Sequence, residues 1–346
     1  MKRMYSIVLL ILFSFGVGAC SKNMQQKESP KVEKPRVIIT TDINTTRYYK
    51  ADEYAIVYML WYADFVQIES IITCRPSDSS SDRLSDLLNL YQKDYENVSF
   101  QFHENRFPSP KDLASLVCRD KEKAAIKIIQ AARQKTEQPL WILMLGNMKV
   151  VKEALLLAPD IENKIRLISI GTGIKSPDED VCGNLNWNGW GRTEIYNRFK
   201  SLWWIENDWA YKGISEGEVS NEVMNKVGQC GALGKIMLNN TQPTLVLDKA
   251  IPFMFLLDPT IHPNHPEFGG WTGNYIKPFP VERPNYWVDR AETKKWNYKN
   301  PCSSWELAEQ VYRERKFSVQ NRKNEMYASL VDRLTQLYSK TKGTKY

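Results

Sequence analysis

The stretch Arg36–Thr73, RVIITTDINTTRYYKADEYAIVYMLWYADFVQIESIIT, decides the fold. Val37–Thr41 is a compact, β-branched run of the kind that fills a buried strand. A polar loop follows, then an apolar helix from Asp52 to about Ala63, and Ile68–Thr73 reads as a second strand. Strand, helix, strand is the unit of a parallel sheet, because parallel neighbours must be joined by a long crossover.

The same rhythm continues outward. Ser81–Tyr91 reads as a helix and Val98–Phe102 as a third strand, and Lys121–Arg133 as a helix with Ile126, Ile129 and Ala132 on one face. Leu140–Leu145 is a fourth strand ending in Gly146-Asn147, and the helix Val150–Leu157 stops before Pro159. Ile165–Ile170, Leu202–Ile205 and Thr244–Leu247 (TLVL) complete the strands. The expectation is an α/β domain over residues 36–300, with a mostly parallel central sheet flanked by helices. From Trp305 to about Ser339 the chain is helical and charged, so residues 301–346 are expected to form a C-terminal helical extension on the domain's flank. No internal repeat is present.

The first twenty residues read as an address. Lys2 and Arg3 precede the apolar stretch Ile7–Phe15, which is too short to span a bilayer. Val17-Gly18-Ala19-Cys20 resembles the lipobox of bacterial lipoproteins, in which the cysteine becomes the lipidated first residue. Ser21 carries no aspartate-type retention signal, so the expected location is the bacterial cell envelope, on the outer rather than the inner membrane. An ordinary cleaved signal with a coincidental cysteine is the alternative. Residues 21–35 (SKNMQQKESPKVEKP) are polar and proline-bracketed, as a flexible tether should be.

Composition narrows the function classes. Of the 346 residues, hydrophobic types make up 42% and charged types 25%, which excludes wholesale disorder and collagen-like repeats. Lys+Arg 47 against Asp+Glu 40 is a small excess, and with three histidines it gives no argument for nucleic acid. Aromatics reach 12%, including 11 tryptophans, enough for a large core or for ring surfaces that recognise sugars. After Cys20, the cysteines are Cys74, Cys118, Cys182, Cys230 and Cys302, an odd set without zinc-site spacing. A Cys182–Cys230 or Cys230–Cys302 bridge and plain buried thiols are equally compatible with it.

Carboxylates at strand ends are where chemistry would sit, since such sheets bind ligands beyond their carboxyl edge. Asp42 directly follows VIITT, Asp52-Glu53 open the next helix, and Asp248 directly follows TLVL. Carboxylates drawn from distant parts of a chain suit a hard cation such as calcium, which takes six to eight oxygens. The structural alternative is that Asp52 caps its helix and Asp42 satisfies loop amides.

These segments carry a resemblance. RVIITTD…DEYAIVYMLWYADFVQIESIIT resembles the opening of the nucleoside hydrolase superfamily, whose motif after the first strand is Asp-x-Asp-Pro-Gly-x-Asp-Asp. PLWILMLGNMKVVKEALLLAPDIENKIRLISIG resembles its strand–Gly–helix segment, and NLNWNGWGRTEIYNRFKSLWWI its Glu-Phe-Asn stretch. DKAIPFMFLLDPTIHPNHPEFGGWTGNY is closer to one branch, the nucleoside hydrolase-like domain of proteins described as cellulose-binding. The resemblance runs from about Arg36 to Tyr275, and it implies a nucleoside hydrolase-like fold.

The resemblance also implies a site. Asp42 would bind calcium and deprotonate the attacking water, Asp52 would hold the ribose, and Glu53 would stand in for a bidentate calcium aspartate. The backbone carbonyl of Leu145 and the carboxylate of Asp248 complete the implied Ca2+ ligands. Asn186 and Asn188 stand where the sugar-holding glutamate and asparagine lie. The implied reaction is hydrolysis of an N-glycosidic, ribosyl-type bond by a calcium-bound water. The sequence departs from this pattern at Leu247, where many relatives have the histidine that protonates the leaving base. His262 and His265, in HPNHPEFGGW, supply a proton from another loop or simply pack in a rigid turn. His265 is the candidate acid.

Three functions follow from different classes: a lipid-anchored N-glycosidase, a carbohydrate-binding lipoprotein on a decayed hydrolase fold, and a scaffold in a glycan-uptake system. Trp187, Trp190, Trp203, Trp204, Trp209 and Trp271 favour the second, with Trp187 and Trp271 the candidate sugar contacts. For Trp203-Trp204, in an apolar strand, at least one ring must face inward. The expected partner is a small nucleoside-like or glycan ligand. The membrane is met only through the lipid on Cys20, and a homo-oligomer is compatible with the sequence.

Overall fold

The strands of the computed structural model are β1 (Arg36–Thr41), β2 (Gln67–Thr73), β3 (Val117–Cys118), β4 (Leu140–Met144), β5 (Ile165–Ile170), β6 (Trp203–Asn207), β7 (Tyr275–Ile276) and β8 (Tyr286–Asp289). The longer helices are α1 (Lys50–Trp61), α2 (Arg83–Tyr95), α3 (Pro110–Ser115), α4 (Lys121–Ala132), α5 (Lys149–Leu157), α6 (Arg192–Arg198), α7 (Asn221–Gly228), α8 (Gly231–Leu238), α9 (Ile251–Leu257), α10 (Trp305–Gln320) and α11 (Lys323–Leu337). The structure describes residues 33–44, 50–73, 82–102, 106–171, 191–217, 219–238, 245–291, 293–294 and 305–339, with backbone only for 305–308.

The sheet runs β3-β2-β1-β4-β5-β6-β8-β7, parallel throughout except where β7 meets β8. β1 lies between β2 and β4, with Ile39 opposite both Ile71 and Leu143. The chain moves outward from β1 through β2 to β3 and then returns to β4 on the other side. Connections therefore diverge above the carboxyl ends of β1 and β4, the switch point at which sheets of this kind form their ligand crevice.

Side-chain alternation divides the core in two. Val37, Ile39, Ile71, Trp141, Leu143, Ile168 and Ile205 face the larger layer, packed with α1, α9 and α11. Ile38, Ile72, Leu140, Ile142, Met144, Leu167 and Trp204 face the smaller, covered by α4, α5 and α6. The two adjacent tryptophans thus point to opposite faces, as period-two geometry demands. From Ala51 to Trp61 every residue of α1 is buried, so this helix is apolar all round rather than amphipathic. Its outer side is roofed by α11: Arg333 Nε donates to the Trp61 carbonyl at 2.8 Å, Trp61 Nε1 donates to Tyr338 Oη at 3.0 Å, and Arg333 pairs with Asp64. The C-terminal helices are thereby an integral layer of the fold.

Some expected elements differ. Val98–Phe102 is not a strand but a turn closed by Phe100 N–H on the Asn97 carbonyl, with Val98 exposed. Phe102 is fully buried in a cluster with Tyr91, Phe107 and Tyr338, and Phe100 packs half-buried on the same Tyr338. The third strand is the two-residue β3 instead. Thr244 lies outside the described residues, and Leu245–Leu247 form no strand, since Leu247 N–H turns back to the Leu245 carbonyl. The place beside β6 belongs to β8. In α4 the buried stripe is Ala124, Ala125, Ile128, Ile129, Ala131 and Ala132, leaving Ile126 exposed.

Cys118 and Cys230 are free, buried thiols, so the Cys230 bridges entertained from sequence do not form. Cys230 Sγ donates to the Lys226 carbonyl, and burial pushes its pKa up to about 12. Cys74, Cys182 and Cys302 lie outside the described residues.

Candidate functional site

The crevice begins where β1 ends. Thr41 Oγ1 donates to Asp52 Oδ1 at 2.9 Å, and the Asp42 amide donates to the same oxygen at 3.3 Å. The first turn of α1 is thereby tied to the end of the strand, and Asp52 is wholly buried. Across β1, the Leu145 amide donates to the Thr40 carbonyl and prolongs the β4 ladder. Asn147 then reaches over, its Nδ2 donating to Asp42 Oδ1 at 3.0 Å, while its own Oδ1 caps Lys149 N–H. Between them Gly146 leaves room: a Cβ there would lie 2.7–2.9 Å from the Asp42 carboxylate atoms.

The far wall comes from a distant segment. Asp248 opens a short 3-10 turn, Asp248–Ala250, that packs on α1, and its Oδ1 accepts the Lys249 amide at 3.0 Å. Burial raises the Asp248 pKa, and the charge of Asp52 raises it further against the pull of Lys249. Lys249 Nζ lies 2.5 Å from Asp52 Oδ2. Tyr211, on the turn that follows β6, brings its hydroxyl against Gly171 at the end of β5, where a Cβ would lie 2.9 Å from it. Its pKa is raised by burial first, then by the charges of Asp248 and Asp208. The turn carrying it is fixed by Asp289 at the end of β8, which accepts the amides of Asp208, Trp209 and Ala210.

Asp42, Asp52 and Asp248 are therefore brought together at the carboxyl edge. Glu53 is not: it is buried, it turns to Arg83 on α2 at 2.8 Å, and desolvation raises its pKa more than Arg83 lowers it. The donor set does not fit a calcium ion as it stands. Asp52 spends its oxygens on Thr41, the Asp42 amide and an ammonium, and Glu53 spends one on a guanidinium. Among the described residues no three His, Cys, Asp or Glu side chains form a metal-holding group. Hard cations need oxygens, and a fixed ammonium in their midst opposes a second positive charge.

His265 is on the wrong side for an acid at this crevice. It stacks on Phe268, and its Nδ1 is 3.2 Å from Glu267. The loop bearing it docks through Asn264 and the Pro263 carbonyl on Arg166, at the amino end of β5. Asp42 follows the carboxyl end of β1, so the whole depth of a parallel sheet separates them. His262 belongs to the same cluster.

Trp271 is buried in the larger core, its amide held by Asp258, and offers no ring face to a sugar. Trp204 is buried with its indole N–H on Ser169, and Trp209 is buried against Tyr312. Asn186, Trp187, Asn188 and Trp190 lie outside the described residues. Sequence reading missed Asn147, Lys249, Arg83 and Tyr211. Asn147 and Lys249 each had a signal, since one follows a strand-ending glycine and the other adjoins Asp248. Arg83 and Tyr211 had none.

Residues 36–275 match the profile of the family described as cellulose-binding Sde182, nucleoside hydrolase-like domain. The chain belongs to that family. Among solved structures, a nucleoside hydrolase-related hypothetical protein from Saccharophagus degradans, described as associated with carbohydrate metabolism, is 19% identical with a TM-score of 0.60. That match covers 89% of this chain and 74% of the other. An inosine-guanosine nucleoside hydrolase is 13% identical with a TM-score of 0.50, covering 88% of this chain and 99% of its own. Both likenesses establish the nucleoside hydrolase-like fold and no more. No curated protein matches significantly.

Proposed function

We propose that this Sde182-type chain is a carbohydrate-binding protein that holds a small sugar-like ligand in the crevice at the carboxyl edge and does not hydrolyse it. The observation that carries the reading is the Lys249–Asp52 ion pair. An ammonium supplies charge but no open coordination position, so it cannot generate a bound hydroxide as a metal does. Asp42 is engaged by Asn147, and the residue directly before Asp248 is Leu247 and not a histidine. Lacking a general acid alone costs about 10²–10⁴-fold in rate. What remains is a polar wall of alternating donors and acceptors, Asn147, Asp42, Lys249 and Tyr211, suited to sugar hydroxyls. The family's cellulose-binding description and the Saccharophagus protein's association with carbohydrate metabolism support the ligand class.

The test is calorimetric titration of cello-oligosaccharides and nucleosides, with chromatography of each mixture for released base or sugar. Saturable binding without product supports the reading. Turnover of any riboside or glycoside, or no binding of either ligand class, overturns it.

A second reading, an N-glycosidase using calcium, is favoured by one observation: Asp42, Asp52 and Asp248 share one edge. It requires the metal to draw Asp52 away from Lys249. Calcium binding by the wild-type chain, lost in an Asp42→Ala/Asp248→Ala double variant, would replace the first reading with this one. As to location, the lipobox supports anchoring through Cys20 at the bacterial cell envelope, on the outer rather than the inner membrane. No helix among the described residues is long and apolar enough to cross a membrane.

A further inference from the structure

At the opposite edge of the sheet, the end of α4, the loop from there to β4 (residues 133–139) and the residues entering β5, β6 and β8 line an open cleft of about 770 Å³. Its volume falls in the range of small-molecule sites, and most of its lining residues are exposed to solvent. Arg166, the second residue of β5, lines it. The guanidinium lies 5.0 Å from the Trp141 ring and 5.1 Å from the Trp203 ring. Trp203 is the half-buried tryptophan of the described set proposed from sequence, and it lines the cleft.

Arg166 is unusual in its company. It donates to Asn264 Oδ1 at 2.6 Å and to the Pro263 carbonyl at 3.4 Å, both neutral. Among the described residues no carboxylate forms an ion pair with it, and burial lowers its pKa with no acidic neighbour to offset the loss. A partly desolvated guanidinium costs free energy unless an anion completes it. The remainder of the cleft does not supply one from nearby. Lys135 and Lys164 line it and are exposed, Arg133 is taken by Asp160 at 2.5 Å, and the acidic lining residue is Glu137, also exposed. Asn163, Ser201 and Asn285 add neutral hydrogen-bonding groups beside the indole of Trp203.

We infer that this amino-edge cleft is a second saccharide site, specific for an anionic sugar whose carboxylate or sulfate pairs with Arg166. The planar fork of arginine matches a two-oxygen anion, the lysines at the rim draw it in, and the polar and indole groups take the hydroxyls and ring. The ligand class rests on the carbohydrate-binding reading, but the site is separate and is tested separately.

The experiment is calorimetric titration of the full chain with a galacturonate trisaccharide, a sulfated galactose disaccharide and cellotriose, at low and high salt. Either acidic sugar should bind, more weakly in high salt, and whichever binds identifies carboxylate or sulfate as the anion. Arg166→Gln should weaken that binding by about tenfold or more, the scale of a charge-assisted hydrogen bond. Because Arg166 packs against two adjoining indoles, a Lys135→Glu/Lys164→Glu variant, altered only at the exposed rim, is measured beside it and should show the same loss. No binding of either acidic sugar, or acidic-sugar binding that the rim variant leaves intact, overturns the inference. Cellotriose reports on the carboxyl-edge crevice, so the failure of one site is distinguishable from the failure of the other.

Discussion

Lys249 Nζ stands 2.5 Å from Asp52 Oδ2, and the carboxylate it meets is fully buried while the lysine side chain keeps 20% of its surface. A cation held in place by the chain itself completes a carboxylate that would otherwise be an uncompensated buried charge. Removing one partner of such a pair costs about 3–5 kcal/mol, whereas removing both is far milder.

Lys249→Met should therefore lower unfolding stability by about 3 kcal/mol, and Lys249→Met/Asp52→Asn should restore most of it. Urea denaturation of the wild type, the two single variants and the double variant measures the coupling directly. A single-variant loss below about 1 kcal/mol would mean that the pair behaves as a surface contact.

Gly146 separates β4 from Asn147 at the point where Asp42 comes closest. A Cβ at this position would fall 2.7–2.9 Å from the Asp42 carboxylate, and Asp42 is anchored by Asn147 rather than free to retreat. Gly146→Ala should cost about 1–3 kcal/mol through overpacking and should abolish ligand binding at the crevice with the fold kept. Circular dichroism beside a sugar titration separates the two effects. Unchanged affinity would remove Asp42 from the binding wall.

The amino-terminal segment gives a prediction that needs no ligand. On the proposed anchoring through Cys20, Cys20→Ala should move the protein from the membrane fraction to the soluble fraction and end incorporation of labelled palmitate. Retention of label in the variant would disprove the anchor.

Most of the architecture was legible because β-branched runs and buried helices write their period into the chain. Arg36–Thr41, Leu140–Met144 and Ile165–Ile170 all became central strands. Val98–Phe102 misled because a cluster of apolar types near an Asn turn has the composition of a strand without its pairing, and TLVL because one apolar run fits a strand or a core loop equally well. Asp42, Asp52 and Asp248 were legible as neighbours, although Asp248 follows a core loop and not the strand expected for TLVL. What was not legible was their company, since nothing local in sequence tells that Arg83 will turn to Glu53 or that Lys249 will fold back on Asp52. Such contacts depend on the packing of α1 against elements far away in the chain. His265 shows the converse: its chemistry invited a role that the topology, by placing its loop at the amino edge, denies.

Asp248 offers a pH dependence whose sign is fixed by its surroundings. Burial, aided by the charge of Asp52, raises its folded pKa above the unfolded value. Between those two values the folded state holds the proton more tightly than the unfolded chain, so Asp248 favours folding at the acid side and this contribution is lost as pH rises through the window. Asp248→Asn keeps the shape and never ionises. It should be as stable as the wild type below about pH 4, where both side chains are neutral, and more stable at neutral pH, with the gap opening between. Thermal melts of both proteins from acid to neutral pH measure it. A gap that closes rather than opens with rising pH would mean that Lys249 outweighs burial at this carboxylate, and would make Asp248 a second anion for the ammonium that already serves Asp52.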